Sequence, residues 1–545
     1  MAFQTRLTSH MIDEFTRSGD WRQETFYDFL SRCVAAHPER EAIVDPKIRV
    51  TYRKLQDNVD RTAAFLRSLG IGPGDVVTLQ LPNWVEFAYV FFALELIGAV
   101  ANKINPDFRA REVDYILRFS QSKAYVCARA FKGFDYPGMV RALRSNLPDL
   151  RRVIIVDGEA GPDALSLHEG LAGNAPLTSG ERVRMGANEV YRMAFTSGTT
   201  GDPKCVLHSF NTTLPACRFN TRDMRCTADD VFLVYLPIGL NWGYLELIQA
   251  LMLGAKVVLM DRFSGKAALE LIERERVTKI STAPASIIAM LNEPDLDSYD
   301  MSSLRVVITG GASCPVETLR EFNRRMKGRL IELYGMLEDG YHTYTRYTDD
   351  PERVNGTIGR CVEGMRLRLI DEAGHDVAPG EAGDIAAWGP SVHLGYHNNP
   401  RANEESFTAD GWFRSGDLGV FADADRNVRI VGRNKEIINR GGKKFFPREI
   451  EEILYTHPKV MHAAIVGVKD ARLGERNCLC VIPKAGETVT LEEMTAYLKG
   501  QVADYKLPER LEIVAELPFT ATGKLQRFML TKRIEEADAR RSIPG

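Results

Sequence analysis

The sequence predicts a protein of mixed α/β and α+β class: a large N-terminal domain of layered β-sheets flanked by helices, joined by a hinge to a small C-terminal α+β domain. Apolar runs of strand length alternate with helical patterns over most of the chain, and this alternation is typical of parallel sheets covered by helices. The pattern changes after about Phe421. A chain of 545 residues is also too long for a single core.

Short apolar runs, separated by turn or helical segments, predict the strands of the large domain. They are DVVTLQL (75–81), AYVCA (124–128), RRVIIV (151–156), VYRMAF (190–195), AKVVLM (255–260), TKISTA (278–283) and RVVITGG (305–311). A helix is predicted from about Glu86. The longest apolar run, Val90 to Ala101, contains Glu95 and is far shorter than the ~20 residues of a membrane span. We therefore interpret it as a core helix and expect no membrane span.

The small domain is predicted from a change of pattern near the C-terminus. Short charged strands around NVRIVGRNKEII (427–438) precede a helix near Pro447 to Tyr455, and a second helix starts near Leu491. Further strands are predicted at VMHAAIVGV (460–468), NCLCVIP (477–483) and RLEIVAELP (510–518). No long flexible linker separates the two parts, which favours a hinge. We place the domains at 1–433 and 434–545.

Composition excludes several classes of function. The 70 basic and 73 acidic side chains leave a formal charge of -3, so we expect no nucleic-acid partner. The first 21 residues lack the apolar middle of a signal peptide. Nine cysteines without a C-x-x-C pair argue against a disulfide framework and a zinc site, and a reducing cytoplasm is the expected location.

The stretch FTSGTTGDPK, Phe195 to Lys204, follows a predicted strand and is rich in small hydrogen-bond donors. Its two glycines can adopt positive φ, so that successive N–H groups face an anion. Pro203 prevents an immediate helix and excludes the Walker pattern. A polyphosphate is the ligand that this chemistry fits, and a polar turn is the alternative. The donors are Thr196, Ser197, Gly198, Thr199, Thr200, Gly201 and Lys204.

The same stretch resembles the phosphate loop of the adenylate-forming superfamily, which includes acyl- and aryl-CoA synthetases and peptide-synthetase adenylation domains. Other motifs of that family recur in order along the chain. They are GAVANKINP (98–106), TGGASC (309–314, adenine-pocket loop), LYGMLED (333–339), GWFRSGDLG (411–419, ribose element), VGRNKEIINRGGKKFFPREIE (431–451, hinge and glycine loop) and PFTATGKLQR (518–527, catalytic lysine loop). One motif is a hypothesis, but six spaced ones identify the family.

The nucleotide-binding residues follow from these motifs. The Asp417 carboxylate can accept hydrogen bonds from ribose hydroxyls, each worth ~1.5 to 3 kcal/mol, although an N-capping aspartate is the alternative. Tyr334 offers a flat face for adenine or is a core tyrosine. Arg433, which the resemblance places on ribose and phosphate, could be a solvated strand charge. The resemblance adds Gly311, Ala312, Ser313 and Gly335.

The resemblance implies catalytic roles for Lys524, Glu338 and Thr196, the last two as Mg²⁺ ligands. Carboxylate oxygen suits a hard cation that bridges phosphates; a surface charge is the alternative for Glu338. A positioned ammonium at Lys524 would stabilise charge as a carboxylate attacks the α-phosphorus of ATP. An exposed loop lysine is the alternative there.

The resemblance also implies a movement of the small domain between two half-reactions. The hinge maps to Lys435, and the glycine loop at Gly441 and Gly442 would border the entry path of a thiol, because glycine lets a pantetheine arm pass close to the backbone. Lys443, like Arg440 and Lys444, is a candidate for a CoA phosphate. A solvated basic loop is the alternative.

The acid pocket departs from the family pattern in two places. Leu337 stands where many relatives have threonine, and Leu240 stands in LPIGLNWGY where a histidine is usual. No acidic residue is present there for the amino group of an amino acid, so an acid with a ring fits better. Stretches such as YTRYTDDPE resemble the branch that activates 2-hydroxybenzoate-type acids, in which Asn241 would meet a ring hydroxyl. The predicted pocket residues are Leu240, Asn241, Trp242, Gly243, Gly310, Met336 and Leu337.

These observations predict an acid–thiol ligase that uses ATP, Mg²⁺ and coenzyme A on a small aromatic or alicyclic carboxylate, of the benzoate or cyclohexanecarboxylate type. An aryl-acid AMP ligase that delivers its acyl group to a carrier protein is the alternative. A degenerate adenylate-binding protein without chemistry is a third hypothesis. A homodimer is the default expectation for a soluble enzyme.

Overall fold

A computed structural model of the protein describes residues 3–196, 203–312, 314–433, 436–470, 472–519 and 525–541. The fold has a large N-terminal part built on three main sheets and a two-stranded hairpin (130–135), and a smaller C-terminal part built on one further sheet. The predicted class of layered sheets and helices followed by a small α+β domain is confirmed. Among the described helices, none is both long and apolar enough to cross a membrane.

The first sheet is formed mainly by the first two hundred residues. Strands of this region are β1 (Glu41–Val44), β2 (Arg49–Thr51), β3 (Val76–Gln80), β4 (Val100–Lys103), β5 (Ala124–Cys127), β6 (Ala130–Phe131), β7 (Phe134–Asp135), β8 (Arg152–Ile155), β9 (Leu165–Ser166), β10 (Val190–Phe195) and β11 (Cys205–Ser209). Helices are α1 (Ser9–Arg17), α2 (Phe26–Ala36), α3 (Tyr52–Ser68), α4 (Val85–Leu96), α5 (Ala110–Phe119), α6 (Tyr136–Leu143) and α7 (Leu167–Gly173). The strand order is β11-β10-β4-β3-β5-β8-β9. Its pairs are parallel except β10 with β11, which is antiparallel.

The apolar run from Val90 to Ala101 corrects one prediction. Every residue of α4 is buried, as expected for a core helix. The helix ends at Leu96, however, and the run continues through Gly98 at φ +71° into β4. A single apolar run therefore contains a buried helix and a buried strand, which periodicity does not separate because both are covered on all sides.

The second sheet combines β1 and β2 with strands from the middle of the chain. These strands are β12 (Val231–Val234), β13 (Lys256–Leu259), β14 (Lys279–Thr282), β15 (Val306–Gly310), β16 (Arg329–Tyr334), β17 (Thr343–Tyr344) and β18 (Arg360–Cys361). Helices here are α8 (Phe210–Asp223), α9 (Asn241–Leu253), α10 (Gly265–Glu275), α11 (Pro284–Leu291), α12 (Val316–Arg325) and α13 (Pro351–Val354). The order is β18-β17-β16-β15-β14-β12-β13-β1-β2. Helix α8 contacts β11 of the first sheet and α9, and α9 contacts β12 and β13 of the second.

The third sheet is antiparallel and was not predicted. It has the order β19-β20-β21-β22, with β19 (Arg366–Ile370), β20 (Gly383–Trp388), β21 (Phe413–Phe421) and β22 (Val428–Arg433), and α14 (Pro400–Ser406) precedes β21. Strand β22 pairs with β21, so this part of the charged segment 427–438 belongs to the large domain and not to the small one. The change of pattern after Phe421 therefore precedes the change of sheet.

The small domain packs helices on a sheet that begins at Ile438. Its strands are β23 (Ile438–Arg440), β24 (Lys443–Phe445), β25 (Val460–Asp470), β26 (Gly474–Pro483) and β27 (Arg510–Ile513), and its helices are α15 (Pro447–Leu454), α16 (Leu491–Leu498) and α17 (Arg527–Arg541). Buried side chains from α15, α16, β25 and β26 form a core of their own. The boundary at 433/434 stays a prediction, since Asn434 and Lys435 lie outside the described residues.

Candidate active site

A cleft of about 2190 Å³ is lined by all three sheets of the large domain and by the small domain. It lies at the carboxyl ends of parallel strands, where β10, β12, β15 and β16 give way to the predicted motifs. Ligands of open α/β sheets bind at this edge, because loops there diverge and leave a crevice. The sheet topology therefore brings motifs that are distant in sequence to one cleft.

Tyr334, Asp417 and Arg433 are joined by hydrogen bonds on one side of the cleft. The Tyr334 hydroxyl donates to Asp417 Oδ2 at 2.8 Å, and Arg433 Nε lies 2.6 Å from Asp417 Oδ1. Asp417 and Arg433 are opposite each other in the β21–β22 register. Burial acts to lower the pKa of Arg433, but the charges of Asp417 and Glu436 raise it above its ordinary value. The Asp417 carboxylate is thus held in place from two sides.

The polar environment of Tyr334 changes how its role is understood. Its side chain is buried, and burial together with the Asp417 charge raises its pKa well above the ordinary value. The hydroxyl is therefore a donor to Asp417, while the residue still borders the cleft. This position is compatible with both predicted roles of Tyr334, a core tyrosine whose hydroxyl has a partner and a flat surface for the adenine ring.

Thr196 and Lys204 close the two ends of the predicted phosphate loop. The Lys204 N–H donates to Thr196 Oγ1 at 3.1 Å, and the Thr196 N–H donates to the Lys204 carbonyl at 3.0 Å. The Lys204 ammonium lies 4.5 Å from the centre of the Tyr396 ring. The remaining predicted loop residues, Ser197, Gly198, Thr199, Thr200 and Gly201, lie outside the described residues.

Glu338 lines the cleft near this loop. Its Oε1 accepts a hydrogen bond from the Tyr396 hydroxyl at 3.0 Å, and burial followed by the Glu338 charge raises the pKa of Tyr396, so the tyrosine is the donor. Within the described ranges no group of three or more His, Cys, Asp or Glu could hold a metal. The Glu338 carboxylate, with the Tyr396 hydroxyl beside it, fits Mg²⁺, because proteins bind this ion with one or two carboxylates and leave its other positions to phosphates and water.

The loops after β15 and β16 bring backbone to the cleft. Gly311 has φ +75° and borders the cleft together with Ala312, whereas Ser313 lies outside the described residues. A Cβ at Gly335 would lie 1.9 Å from the Gly340 carbonyl oxygen, so only glycine fits there. This close approach fixes the turn that follows Tyr334.

Glu332 lines the cleft and was missed by sequence reasoning. Burial raises its pKa to about 8, and it precedes Tyr334 by two positions in β16. Since alternate residues of a strand face the same side, the position of Tyr334 in the sequence already indicated that Glu332 faces the cleft. The Glu332 carboxyl can accept a hydrogen bond from a polar group of a nucleobase or donate one to it.

The predicted acid-pocket residues lie together at the start of α9 and the ends of β15 and β16. Trp242 lies against the second sheet, since a Cβ at Gly310 would be 3.3 Å from Trp242 Cη2 and 2.4 Å from the Leu333 carbonyl oxygen. Gly243 is equally confined, because a Cβ at this position would lie 2.2 Å from the Leu236 carbonyl oxygen. The side chains that border the cleft here are Leu240, Asn241, Trp242, Met336 and Leu337.

Asn241 is held by two partners. Its Oδ1 accepts from Arg192 Nη1 at 2.7 Å, and its Nδ2 donates to the Met336 carbonyl at 3.2 Å. The amide oxygen thus accepts one hydrogen bond and keeps a second lone pair, and one N–H is left to meet a substrate. The predicted contact with a ring hydroxyl would use that N–H.

The loop that carries Leu240 is fastened to the first sheet. Asn83 Nδ2 donates to the Leu236 carbonyl at 3.0 Å, and Asn83 Oδ1 accepts from the Ile238 N–H at 2.9 Å. A Cβ at Gly239 would lie 2.2 Å from the Ile104 carbonyl oxygen. The backbone of the pocket is thus fixed between two sheets.

The predicted residues of the thiol path are separate from this cleft. Gly441 and Gly442 have φ of +60° and +84° in the β23–β24 turn, and neither they nor Lys443 border the cleft. Arg440 is engaged by Glu509, with Nε at 2.9 Å and Nη2 at 2.8 Å, which counts against its role as a phosphate ligand. The predicted hinge residue Lys435 and catalytic Lys524 lie outside the described residues.

Comparison with known proteins places this site in a family. A family model described as AMP-binding enzyme matches residues 30–397, and one described as AMP-binding enzyme C-terminal domain matches 449–524. The medium-chain fatty-acid–CoA ligase of Escherichia coli is 33% identical over 95% of this chain and 92% of its own. The 2,3-dihydroxybenzoate-AMP ligase of Bacillus subtilis is 33% identical over 96% of each chain. The crystal structure of an anthranilate CoA ligase in complex with anthranoyl-AMP superposes with a TM-score of 0.87, at 25% identity over 96% of this chain and 99% of that one. The chain therefore belongs to the AMP-binding enzyme family and is an AMP-forming ligase.

Proposed function

We propose that the protein joins a ring carboxylic acid to ATP, releases pyrophosphate, and transfers the acyl group from the resulting acyl-adenylate to coenzyme A. The observation that carries this proposal is the position of Trp242 against Gly310 in the wall of the cleft that Tyr334 and Asp417 also line. The flat indole packs against bare backbone and forms an apolar wall, against which a planar ring can stack. This wall and the nucleotide residues share one cleft, as a reaction between acid and nucleotide requires.

The nucleotide roles rest on the charges of the cleft. Asp417 accepts the ribose hydroxyls, because its carboxylate is oriented by Tyr334 and Arg433 and keeps lone pairs free for further donors. Glu338 and Thr196 would hold Mg²⁺, which supplies positive charge to the phosphates when it is bound. Thr196 and Lys204 hold the ends of the phosphate loop together. The loop residues 197–201 and Ser313 complete the proposed nucleotide site.

The small domain supplies the remaining roles. Lys524 stabilises the charge that develops as the carboxylate attacks the α-phosphorus. A turn about Lys435 then replaces this lysine by the glycine loop, so that Gly441, Gly442 and Lys443 border the entering thiol. In the present arrangement none of these three residues borders the cleft, which is compatible with such an exchange of roles. Domains divided at 433/434, a cytoplasmic location and a homodimer complete the proposal.

The substrate class is argued from the pocket walls. Leu240, Trp242, Met336 and Leu337 give apolar surface for a ring, and the backbone at Gly239 is held close to the Ile104 carbonyl. The anthranilate and 2,3-dihydroxybenzoate ligases act on ring acids, and a fatty-acid ligase is equally similar in sequence. The geometry therefore favours aromatic or alicyclic acids.

One observation favours a second candidate, an aryl-acid AMP ligase that transfers its acyl group to a carrier protein. The remaining N–H of Asn241 can donate to the hydroxyl of a 2-hydroxybenzoate-type acid. Under this proposal CoA is replaced by the phosphopantetheine arm of an external carrier. The identity of the acid substrate and the identity of the thiol acceptor are independent questions, so the experiment tests both.

The experiment supplies ring and chain acids with ATP, Mg²⁺ and CoA, and measures pyrophosphate exchange and thioester formation by mass spectrometry. Thioester formation with benzoate or cyclohexanecarboxylate and free CoA is the expected result. Exchange without a CoA thioester, followed by loading of an added aryl carrier protein, would favour the second candidate. Absence of exchange with every acid would contradict both.

A further inference from the structure

Two cationic side chains are buried behind the acid pocket. Lys103 at the end of β4 and Arg192 in β10 are each 1% exposed. The parallel register sets Lys103 opposite Ala194 and Arg192 opposite Ala101, and because alternate residues share a face, both side chains leave the same face of the first sheet. The Lys103 ammonium and the Arg192 guanidinium lie 4.8 Å and 4.7 Å from the centre of the Tyr244 ring.

Neither cation has an acidic partner among the described residues. Lys103 Nζ donates to the Gly239 carbonyl at 3.3 Å, and Arg192 donates to Asn241 Oδ1 while its Nε has no acceptor. Burial, and then the Arg192 charge, lowers the pKa of Lys103 well below its ordinary value. A buried charge without a partner is costly, so the empty pocket favours the neutral amine, and a bound anion would favour the ammonium.

The same fold pairs its other fully buried lysine. Lys279 lies at 0% side-chain exposure beside the Glu246 carboxylate and also donates to Gln249 Oε1 at 3.2 Å. A purely structural role for Lys103 predicts a comparable arrangement, and Lys103 lacks it. In contrast to Lys279, Lys103 borders the cleft, next to Gly239 and Asn241.

Several polar atoms that line or adjoin the acid pocket are donors without an acceptor among the described residues. Besides Arg192 Nε, the buried Trp242 Nε1 has no acceptor among the described residues. Lys103 Nζ has three N–H groups and one hydrogen bond to the protein within the same set. Such a surplus of donors is complementary to an anionic substituent on the acid.

We propose that the substrate of this ligase is an acid with a second carboxylate, which the Lys103 ammonium binds while Arg192 positions Asn241 beside it. The inference rests on the proposed function, since it names the class of acid that the same pocket accepts. The first carboxylate is activated and the second stays ionised, so no additional bond is formed or broken. Binding of the anion supplies the partner that Lys103 lacks.

The test compares acids that differ only in the second carboxylate: benzoate with isophthalate, and hexanoate with adipate. Pyrophosphate exchange gives kcat/KM for each acid in the wild type, in Lys103→Met and in the matched control Lys54→Met, whose lysine is exposed at the surface. We expect at least one diacid to exceed its monoacid by tenfold or more, as a charge-assisted contact implies. In Lys103→Met this ratio should fall by about 10- to 100-fold through a higher KM for the diacid, and Lys54→Met should keep it.

Thermal unfolding separates recognition from a structural role. The wild type should be stabilised by the preferred diacid, and Lys103→Met should unfold at the same temperature as the wild type or higher, because it removes a buried unpartnered charge. A lower midpoint with an unchanged diacid-to-monoacid ratio would assign Lys103 to the fold and overturn the inference. A wild type that prefers both monoacids would overturn it as well, while leaving the proposed function intact. Absence of exchange with all acids would contradict the proposed function and this inference with it.

Discussion

Replacing Asp417 by asparagine tests the centre of the nucleotide site. The change keeps the shape of the side chain but removes the charge that Arg433 Nε contacts at 2.6 Å and that the Tyr334 hydroxyl contacts at 2.8 Å. Two ribose hydroxyls would then meet a neutral amide. Because hydrogen bonds to charged groups are worth about 1 kcal/mol more than neutral ones, the two together lose about 2 kcal/mol. This corresponds to about a 30-fold lower kcat/KM for ATP.

The cost to stability is smaller. Arg433 loses its partner, but its side chain is 33% exposed, so water compensates part of the loss, and we expect about 1 to 2 kcal/mol. The assay is pyrophosphate exchange with ATP varied at saturating acid, accompanied by urea unfolding. Tyr334→Phe is the matched control, because it removes one donor to the carboxylate and keeps its charge, and its loss should stay below about tenfold.

A KM for ATP in Asp417→Asn within about threefold of the wild type, at unchanged stability, would refute the assignment. In that case the carboxylate would be a structural partner of Arg433 and the ribose would bind elsewhere. If Tyr334→Phe and Asp417→Asn lost activity equally, the hydroxyl and not the charge would be the important group.

Three further predictions concern the acid pocket, the core and the small domain. Trp242→Ala should lower kcat/KM for benzoate about 10- to 100-fold by removing the apolar wall beside Gly310, and equal losses for small and bulky acids would contradict a role in substrate selection. Burial raises the pKa of Glu95 to about 8, so this carboxyl keeps its proton in the folded state, whereas in the unfolded chain it loses the proton above its ordinary pKa of 4.5. The free energy of unfolding should therefore fall between about pH 5 and pH 8 by up to about 1.4 kcal/mol per pH unit. Urea unfolding at both pH values should show that Glu95→Gln removes this part of the pH dependence. An unchanged pH dependence in the variant would contradict the protonated state of Glu95. Lys524→Ala should reduce adenylation by at least about 10²-fold but still convert a synthetic acyl-adenylate and CoA to thioester in a stopped assay, and loss of both steps would indicate a structural residue.

The central parallel strands were predicted because burial on both faces leaves a continuous apolar run. Strands such as β10 and β15 are buried along their whole length, so their sequences stand out from the surrounding helices. The third sheet was missed for the opposite reason. Strand β21, with the sequence FRSGDLGVF, is only partly buried and contains two glycines and two charged residues, which resembles a loop in sequence. Its strand character comes from pairing with β20 and β22.

The candidate site was predicted through motif resemblance more than through geometry. The pairing of Asp417 with Arg433 depends on the β21–β22 register, which includes an irregularity between Leu418 and Gly419, and register is not readable from residue types alone. Lys103 and Arg192 are visible as charged residues inside apolar strands. That both leave one face and lack a carboxylate partner within the described part of the chain follows only from the three-dimensional arrangement, since a partner could have come from any other element.

The attachment of the 236–240 loop through Asn83 and Gly239 has a consequence for how new specificities could arise. The Asn83 side-chain amide binds the main chain of this segment, and Gly239 packs against the Ile104 carbonyl, so these attachments do not involve the side chains of Leu240 and Trp242. Replacing these two side chains changes the volume available to a substrate, while the surrounding backbone keeps its position. Libraries of variants restricted to these positions should contain a high fraction of folded proteins. Substitutions at Asn83, in contrast, should lower the activity with every substrate.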